Sequence, residues 1–351
     1  MEVQNTQYAR PGRRRISRSQ FLVILAVIVV IAFGYFFYSA SAGKITGLEV
    51  ALKMTTFIDK TFQPDGSILG GYWCDKSLFD KCRPLSLSPQ EPHVGQAIYS
   101  YFILSKISGD ESYRRKADRA INYVLDGCDT NIKMCEWNFF PLTKYYQETG
   151  DRKYLVRGML RPAESFLVMS DEDVVDDNVG HKLAALFTVT NDPRYKDRLL
   201  QIADKEIIGY NVKDPSRNIQ LAWSIYVPSY SITKDKRYLV AAENVFDNLD
   251  VAAHFKANWS ASAVKAADVL LSLADISEKG ARYKKQARNL LQLIIDERWD
   301  TPENVKFTGD YGFVDAFAAD NKPASKAALF NGWLMKSFVL IGDEKFKLPK
   351  N

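Results

Sequence analysis

The chain has 351 residues, with 47 Lys and Arg against 42 Asp and Glu, a formal charge of +5, and 46% hydrophobic residues. That apolar share supports a packed core and excludes a disordered chain, which combines few hydrophobics with a large charge imbalance. Residues 1–20 hold Arg10, Arg13, Arg14, Arg15 and Arg18 against Glu2 and so carry +4, which leaves 42 basic against 41 acidic groups in the rest. A nucleic-acid partner is excluded on this count, because such binders spread basic charge over a folded face.

The basic tail is followed by an uncharged run over 21–38, FLVILAVIVVIAFGYFFY. As a helix it measures about 27 Å at ~1.5 Å per residue, close to a bilayer core of about 30 Å. Arginines before the run and Lys44 alone shortly after it predict a cytoplasmic N-terminus, with Tyr35 to Tyr38 at the outer interface. The sequence therefore predicts a single-pass membrane protein: a tail over 1–20, a signal anchor over 21–38, a linker over 39–43 and an extracytoplasmic domain over 44–351. A cleaved signal peptide is the competing reading, on the small-x-small pattern Ala40-Ser41-Ala42. The apolar run exceeds the roughly 7–15 residues of such a segment, which favours the anchor.

Cysteine usage agrees with export, where disulfides persist. Cys74 and Cys82 form one local pair and Cys128 and Cys135 another. Four cysteines allow three connectivities, of which local pairing is the expected one. Zinc is disfavoured, since the gaps are wider than the two to four residues between paired zinc ligands. Asn258-Trp259-Ser260 matches a glycosylation sequon.

From residue 107 onward a period appears. ISGDESYRRKA, ETGDRKYLVRG, VTNDPRYKDRL, ITKDKRYLVAA and ISEKGARYKKQA recur with marker tyrosines Tyr113, Tyr154, Tyr195, Tyr238 and Tyr283, at spacings of 41, 41, 43 and 45 residues, and IGDEKF closes the series from Ile341. Each marker reads as helix stop, tight turn and helix start, followed by an amphipathic stripe such as Tyr195, Leu199, Ile202, Ala203 and Ile207. First helices are predicted near 44–62, 112–126, 152–169, 193–208, 236–250 and 280–297. Second helices are predicted near 92–107, 137–149, 176–190, 218–233, 260–277 and 323–341. Six helical hairpins can stack as an open solenoid or close into a ring. The last helix is as apolar as the middle ones and offers no polar cap, so an all-α, closed (α/α)6 toroid is expected.

The Thr-Gly-Asp-x-x-Tyr-Leu marker, best seen over 149–155, and the sixfold hairpin count resemble the six-hairpin glycosidase superfamily. The resemblance covers residues 44–351. It implies the toroid fold and a carbohydrate substrate; no cofactor or metal is expected.

Loop lengths locate a site. Connections at the markers are short, whereas those entering the second helices are long, and long loops gathered on one face usually carry function. Sugar chemistry needs aromatic platforms and carboxylates. The expected catalytic carboxylates are Asp176 and Asp177, with Glu91 and Asp310 as partners and Asp315 beside the latter. Asp176-Asp177-Asn178 looks like the Asp-Asp-Asn of the bacterial and fungal α-1,6-mannanases of this superfamily, in which the adjacent aspartates are catalytic. The aromatic pair that often follows is replaced here by Val179-Gly180. The neighbouring Asp171, Glu172 and Asp173 read as ordinary first-turn acids at a helix N-terminus.

Expected substrate contacts are Trp73, Asp75, His93, Trp137, His181, Trp259 and Tyr311, while Trp223 and Trp333 fall inside helices and read as core. His93, His181 and His254 also open a second chemistry, since the related N-acylglucosamine 2-epimerases use histidine acid/base catalysis. The rival reading from a different class is a non-catalytic glycan-binding or envelope scaffold protein, and a sugar epimerase or lyase on the same fold comes third. Metalloprotease, phosphate-loop, nucleophile-elbow and dinucleotide motifs do not occur.

Overall fold

The computed structural model describes residues 44–69, 71–74, 82–84, 95–208, 214–260, 262–304, 309–314, 316–317 and 323–348. The anchor, tail and linker segments lie outside these residues, as do Asp75, Glu91, His93 and Asp315. Among the described residues no helix is long and apolar enough to cross a membrane.

The marker repeat is a capping device. At each turn a Ser or Thr hydroxyl accepts from the main-chain N–H two residues on: Ser108 from Asp110, Thr149 from Asp151, Thr190 from Asp192 and Thr233 from Asp235. Between them Gly109, Gly150, Asn191 and Lys234 take the left-handed conformation that ends a helix. The aspartate then accepts from the N–H of Ser112, Lys153, Arg194 or Arg237 and caps the next helix. The marker tyrosines Tyr154, Tyr195, Tyr238 and Tyr283 are buried. Tyr238 and Tyr283 donate to Asp204 and Asp247 of the preceding outer helix, both at 2.8 Å. One short motif thus stops a helix, turns the chain and locks the next helix to its neighbour.

The outer helices are Gly47–Thr61, Glu111–Thr130, the broken run from Tyr154 through Val168, Pro193–Ile208, Lys236–Asp247 and Gly280–Arg298. The inner helices are Gly95–Ser108, Phe139–Thr149, Val179–Thr190, the run from Pro215 through Thr233, Ser262–Ile276 and Ala328–Ile341. Each inner helix packs on the next, and the sixth returns to the first, which closes the ring. Closure explains why the sixth helix has no polar cap. It also explains the fourth inner run, where every residue over 218–229 is buried. The ends of the ring meet where β1 (Lys44–Thr46) pairs with β6 (Lys345–Lys347).

Two features depart from the all-α expectation. The predicted helix start at 323 is a strand, and the two longest loops pair with each other in a four-stranded sheet. In it β2 (Gly71–Cys74) lies between β3 (Cys82–Pro84) and β5 (Pro323–Ala327), and β4 (Ala316–Phe317) flanks β5. Its register sets Cys74 opposite Cys82 and Trp73 opposite Ser325. The other expected bridge, Cys128–Cys135, is formed.

The third and fourth inner helices approach at Gly180. A Cβ there would sit 1.8 Å from the Ser224 carbonyl oxygen. Ser224 belongs to a π-helical segment, Ala222–Tyr226, and its hydroxyl donates to the Val174 carbonyl at 3.1 Å. Gly180→Ala is expected to cost about 3 kcal/mol or more, because backbone rather than a flexible side chain must move. A urea unfolding midpoint unchanged by this substitution would contradict the packing.

Candidate functional site

The site is built at the end of the ring where the inner helices begin. A short helix, Asp171–Asp176, leads into the third inner helix. Ser170 caps it by accepting from the Asp173 N–H, Asp171, Glu172 and Asp173 occupy its first turn, and Asp171 pairs with Arg198 and Lys205. Asp177 ends this helix and Asn178 takes a left-handed conformation before Val179 opens the next. The adjacent aspartates therefore stand at a helix–helix kink and not inside one helix start.

Their surroundings separate them. Asp176 pairs with Arg217 at 3.1 Å, and Arg217 also holds Glu172 at 3.2 Å. Gln220 ties the same segment down from the fourth inner helix by donating to the Val175 and Asp176 carbonyls. Asp177 is exposed and makes no ion pair among the described residues. It acts electrostatically on Lys182 and Lys265, both of which it favours in the charged form. Burial lowers the Lys182 ammonium to about 8, against the opposing charges of Asp177 and Glu136. Lys265 is also lowered by burial, with Asp176 and Asp177 opposing.

Where the fourth, fifth and sixth inner helices meet, Lys336 pairs with Asp268 at 2.7 Å, and the Trp223 indole N–H donates to the other Asp268 oxygen at 2.9 Å. Burial alone would raise the Asp268 carboxyl, but the Lys336 charge and the bonds from Lys336 and Trp223 outweigh it and hold it below the usual aspartate value. Trp223 and Trp333 meet edge to face at 5.5 Å. These two indoles thus line the axial crevice, while also belonging to the packed interior.

His181 lies in the first turn of the third inner helix, with its ring 6.0 Å from Trp223. Burial pushes its imidazole down to about 4, opposed by Asp268 and by a hydrogen bond to the Trp223 main chain. An imidazole held neutral there is no acid near neutral pH. Since the unfolded chain takes up this proton near 6.5, stability is full above that pH and declines as pH falls toward 4, by on the order of 2–3 kcal/mol. Urea unfolding of a His181→Gln variant is expected to lack that slope. An unchanged slope would place the protonation elsewhere.

The other expected site residues are dispersed. Asp310 is buried and pairs with Lys60 of the first outer helix at 3.2 Å. Tyr311 packs on Trp299 at 5.9 Å with Lys53 over its ring at 4.7 Å. Trp259 lies under Arg298 at 4.0 Å and beside Phe330. Trp137 is 45% exposed next to the buried Glu136, which Lys133 holds at 2.6 Å. Trp73 is placed on β2, and His254 sits in the last turn of a short helix, Val251–Ala257. Sequence reasoning did not single out Lys144, Lys182, Lys265, Asp268 or Lys336. Charged residues inside the apolar runs of second helices, as in AADVLLSLADI and WLMKSFVLI, are the signal that points to them.

No protein-family model matches the chain, and no curated protein matches it. Solved structures do. An unsaturated glucuronyl hydrolase specific for heparin superposes with a TM-score of 0.62 at 14% identity, covering 84% of this chain and 95% of that one. The unsaturated glucuronyl hydrolase of Bacillus sp. GL1, responsible for the degradation of glycosaminoglycan, gives 0.61 at 13% identity, over 85% and 98%. A variant of the Streptococcus agalactiae enzyme complexed with dGlcA-GalNAc6S gives 0.56 at 10% identity, over 84% and 90%. At these identities the likeness concerns the fold. The chain has the (α/α)6 architecture of the six-hairpin glycosidase superfamily, to which these hydrolases belong.

Proposed function

We propose that this protein is a glycan-acting hydrolase whose chemistry lies at the mouth of the ring, with Asp177 as the acid/base carboxylate. The observation that carries the reading is the division of labour between the two exposed, adjacent aspartates: Arg217 engages Asp176, while Asp177, at the kink that opens an inner helix, makes no ion pair among the described residues. Trp137, exposed beside the mouth, suits a sugar platform. The glucuronyl hydrolases that share the fold, one of them seen with a disaccharide, support a carbohydrate ligand. The low basicity of His181 argues against histidine acid/base chemistry of the epimerase kind at that position. The reading extends to cellular place: 21–38 anchors the protein and the ring works outside the cytoplasm, a topology that protease protection of the intact cell would check.

Turnover is tested by incubating the full chain with defined oligosaccharides and measuring new reducing ends. Release from at least one glycan is expected. Binding without release across neutral and acidic sugars would instead make the protein a glycan-binding module.

A further inference from the structure

The kink that presents Asp177 is fastened from the neighbouring inner helices. A short helix that ends in a kink leaves its last carbonyls without helical partners. For Asp171–Asp176 the partners are side chains of the fourth inner run: Ser224 donates to the Val174 carbonyl at 3.1 Å, and the Gln220 amide donates to the Val175 carbonyl at 2.5 Å and the Asp176 carbonyl at 3.2 Å. The backbone leading into Asp177 is thus held by residues more than forty positions away as well as by its own turn.

Gln220 can do this in one orientation only. Its amide carries two donors on nitrogen and an acceptor oxygen of nearly the same shape. Turned over, it would set that oxygen against the Val175 and Asp176 carbonyl oxygens, and Gln220 is buried, where an unmade hydrogen bond is costly. Lys265 of the fifth inner helix fixes the choice, because its ammonium donates to the Gln220 amide oxygen at 2.6 Å. An ammonium group has three donors and no acceptor, so it admits only the oxygen on its side and leaves the nitrogen facing the kink. Lys265 is itself held: its ammonium lies over the Trp223 ring at 5.1 Å, and the charges of Asp176 and Asp177 oppose the loss of its proton on burial.

We propose, resting on the acid/base role assigned to Asp177, that Lys265 is a positioning residue for that carboxylate, acting by orienting the Gln220 amide that holds the kink. The line of contacts crosses three inner helices, from Lys265 on the fifth through Gln220 on the fourth to the backbone that opens the third. Lys265 acts through Gln220 and not by touching substrate.

Two measurements on the full chain test this, with Lys265→Met, Gln220→Met, the double variant and Lys265→Arg, each checked by thermal melting for a folded ring. The first is hydrogen exchange at the Asp177 and Asn178 amides, which bond back to the Asp173 and Val175 carbonyls. Exchange there is expected to be about tenfold faster in Lys265→Met and in Gln220→Met, and no faster again in the double variant, since the lysine works through the amide. Lys265→Arg, which also only donates, should keep the slow rate. The second is steady-state kinetics on a cleaved oligosaccharide. Lys265→Met and Gln220→Met should lower kcat by roughly 10–100-fold with KM within about twofold, the pattern of a misplaced group and not of a lost binding contact, and Lys265→Arg should restore most of the loss. Unchanged exchange in folded Lys265→Met overturns the inference, as does a double variant in which the two single effects multiply. A rise in KM at constant kcat also overturns it, making Lys265 a substrate contact. Turnover that survives Asp177→Asn defeats the acid/base reading instead, and the exchange rates then decide on their own whether Lys265 holds the kink.

Discussion

The Asp177→Asn variant is expected to lose glycan turnover by about 10²–10⁴-fold, the range for removing a positioned acid or base. The amide keeps the shape of the carboxylate, and among the described residues Asp177 makes no ion pair whose loss would unfold the kink. Its melting temperature should stay near that of the unmodified protein. Asp176→Asn is expected to behave in the opposite way. It removes one partner of Arg217, which keeps Glu172 at 3.2 Å and Glu206 at 3.8 Å, so turnover should fall by no more than about tenfold. Initial-rate kinetics on whichever oligosaccharide is cleaved, with both variants side by side, decides the matter. Equal losses in the two would mean that the pair acts as one unit, and a larger loss in Asp176→Asn would reverse the assignment.

That contrast shows where the sequence is informative. Two adjacent aspartates before an apolar run mark a position on the chain, and nothing in their order tells them apart. The difference comes from Arg217, 41 residues from Asp176, which only the closed ring brings within 3.1 Å. The ring itself was legible because its cause is local. Ser or Thr, a left-handed residue, Asp, and Tyr three positions on make a complete turn within seven residues, so the period survives in the sequence and the helix bounds fall within a few residues of expectation. The sheet was not legible for the converse reason. Its central pairing joins 71–74 to residues about 250 positions away through very short strands, and neither loop carries an alternating pattern long enough to predict a partner. Asp310 and Tyr311 were chosen for their glycine-bearing loop. They pack toward Lys60 and Lys53 of an outer helix, a direction that loop composition does not encode.

The charged groups of the axis were hidden by a more general effect. An inner helix of a toroid is apolar on the sides that meet its neighbours, so a lone Asp or Lys within it looks like a tolerated exception. In the ring, Asp268 and Lys336 meet between the neighbouring fifth and sixth inner helices, with side-chain exposures of 20% and 9%. Substituting Asp268 by Ala is expected to destabilise the protein by about 3–5 kcal/mol, since the Lys336 ammonium would be left without its counter-charge and the Trp223 N–H without its acceptor. Replacing both members of the pair together, Asp268→Leu with Lys336→Met, is expected to cost far less, because two desolvated charges leave at once. Guanidinium unfolding of the two single variants and the double variant closes a thermodynamic cycle, and a coupling energy near zero would show that the pair contributes nothing beyond its separate side chains. Acid adds an independent check. The Asp268 carboxyl is held below its ordinary value, so its share of stability is complete above about pH 4 and is lost only as pH falls through the depressed folded value. The His181 slope lies at higher pH, between about 6.5 and 4, so the two contributions separate along one titration, and removing Asp268 should abolish the lower without erasing the upper.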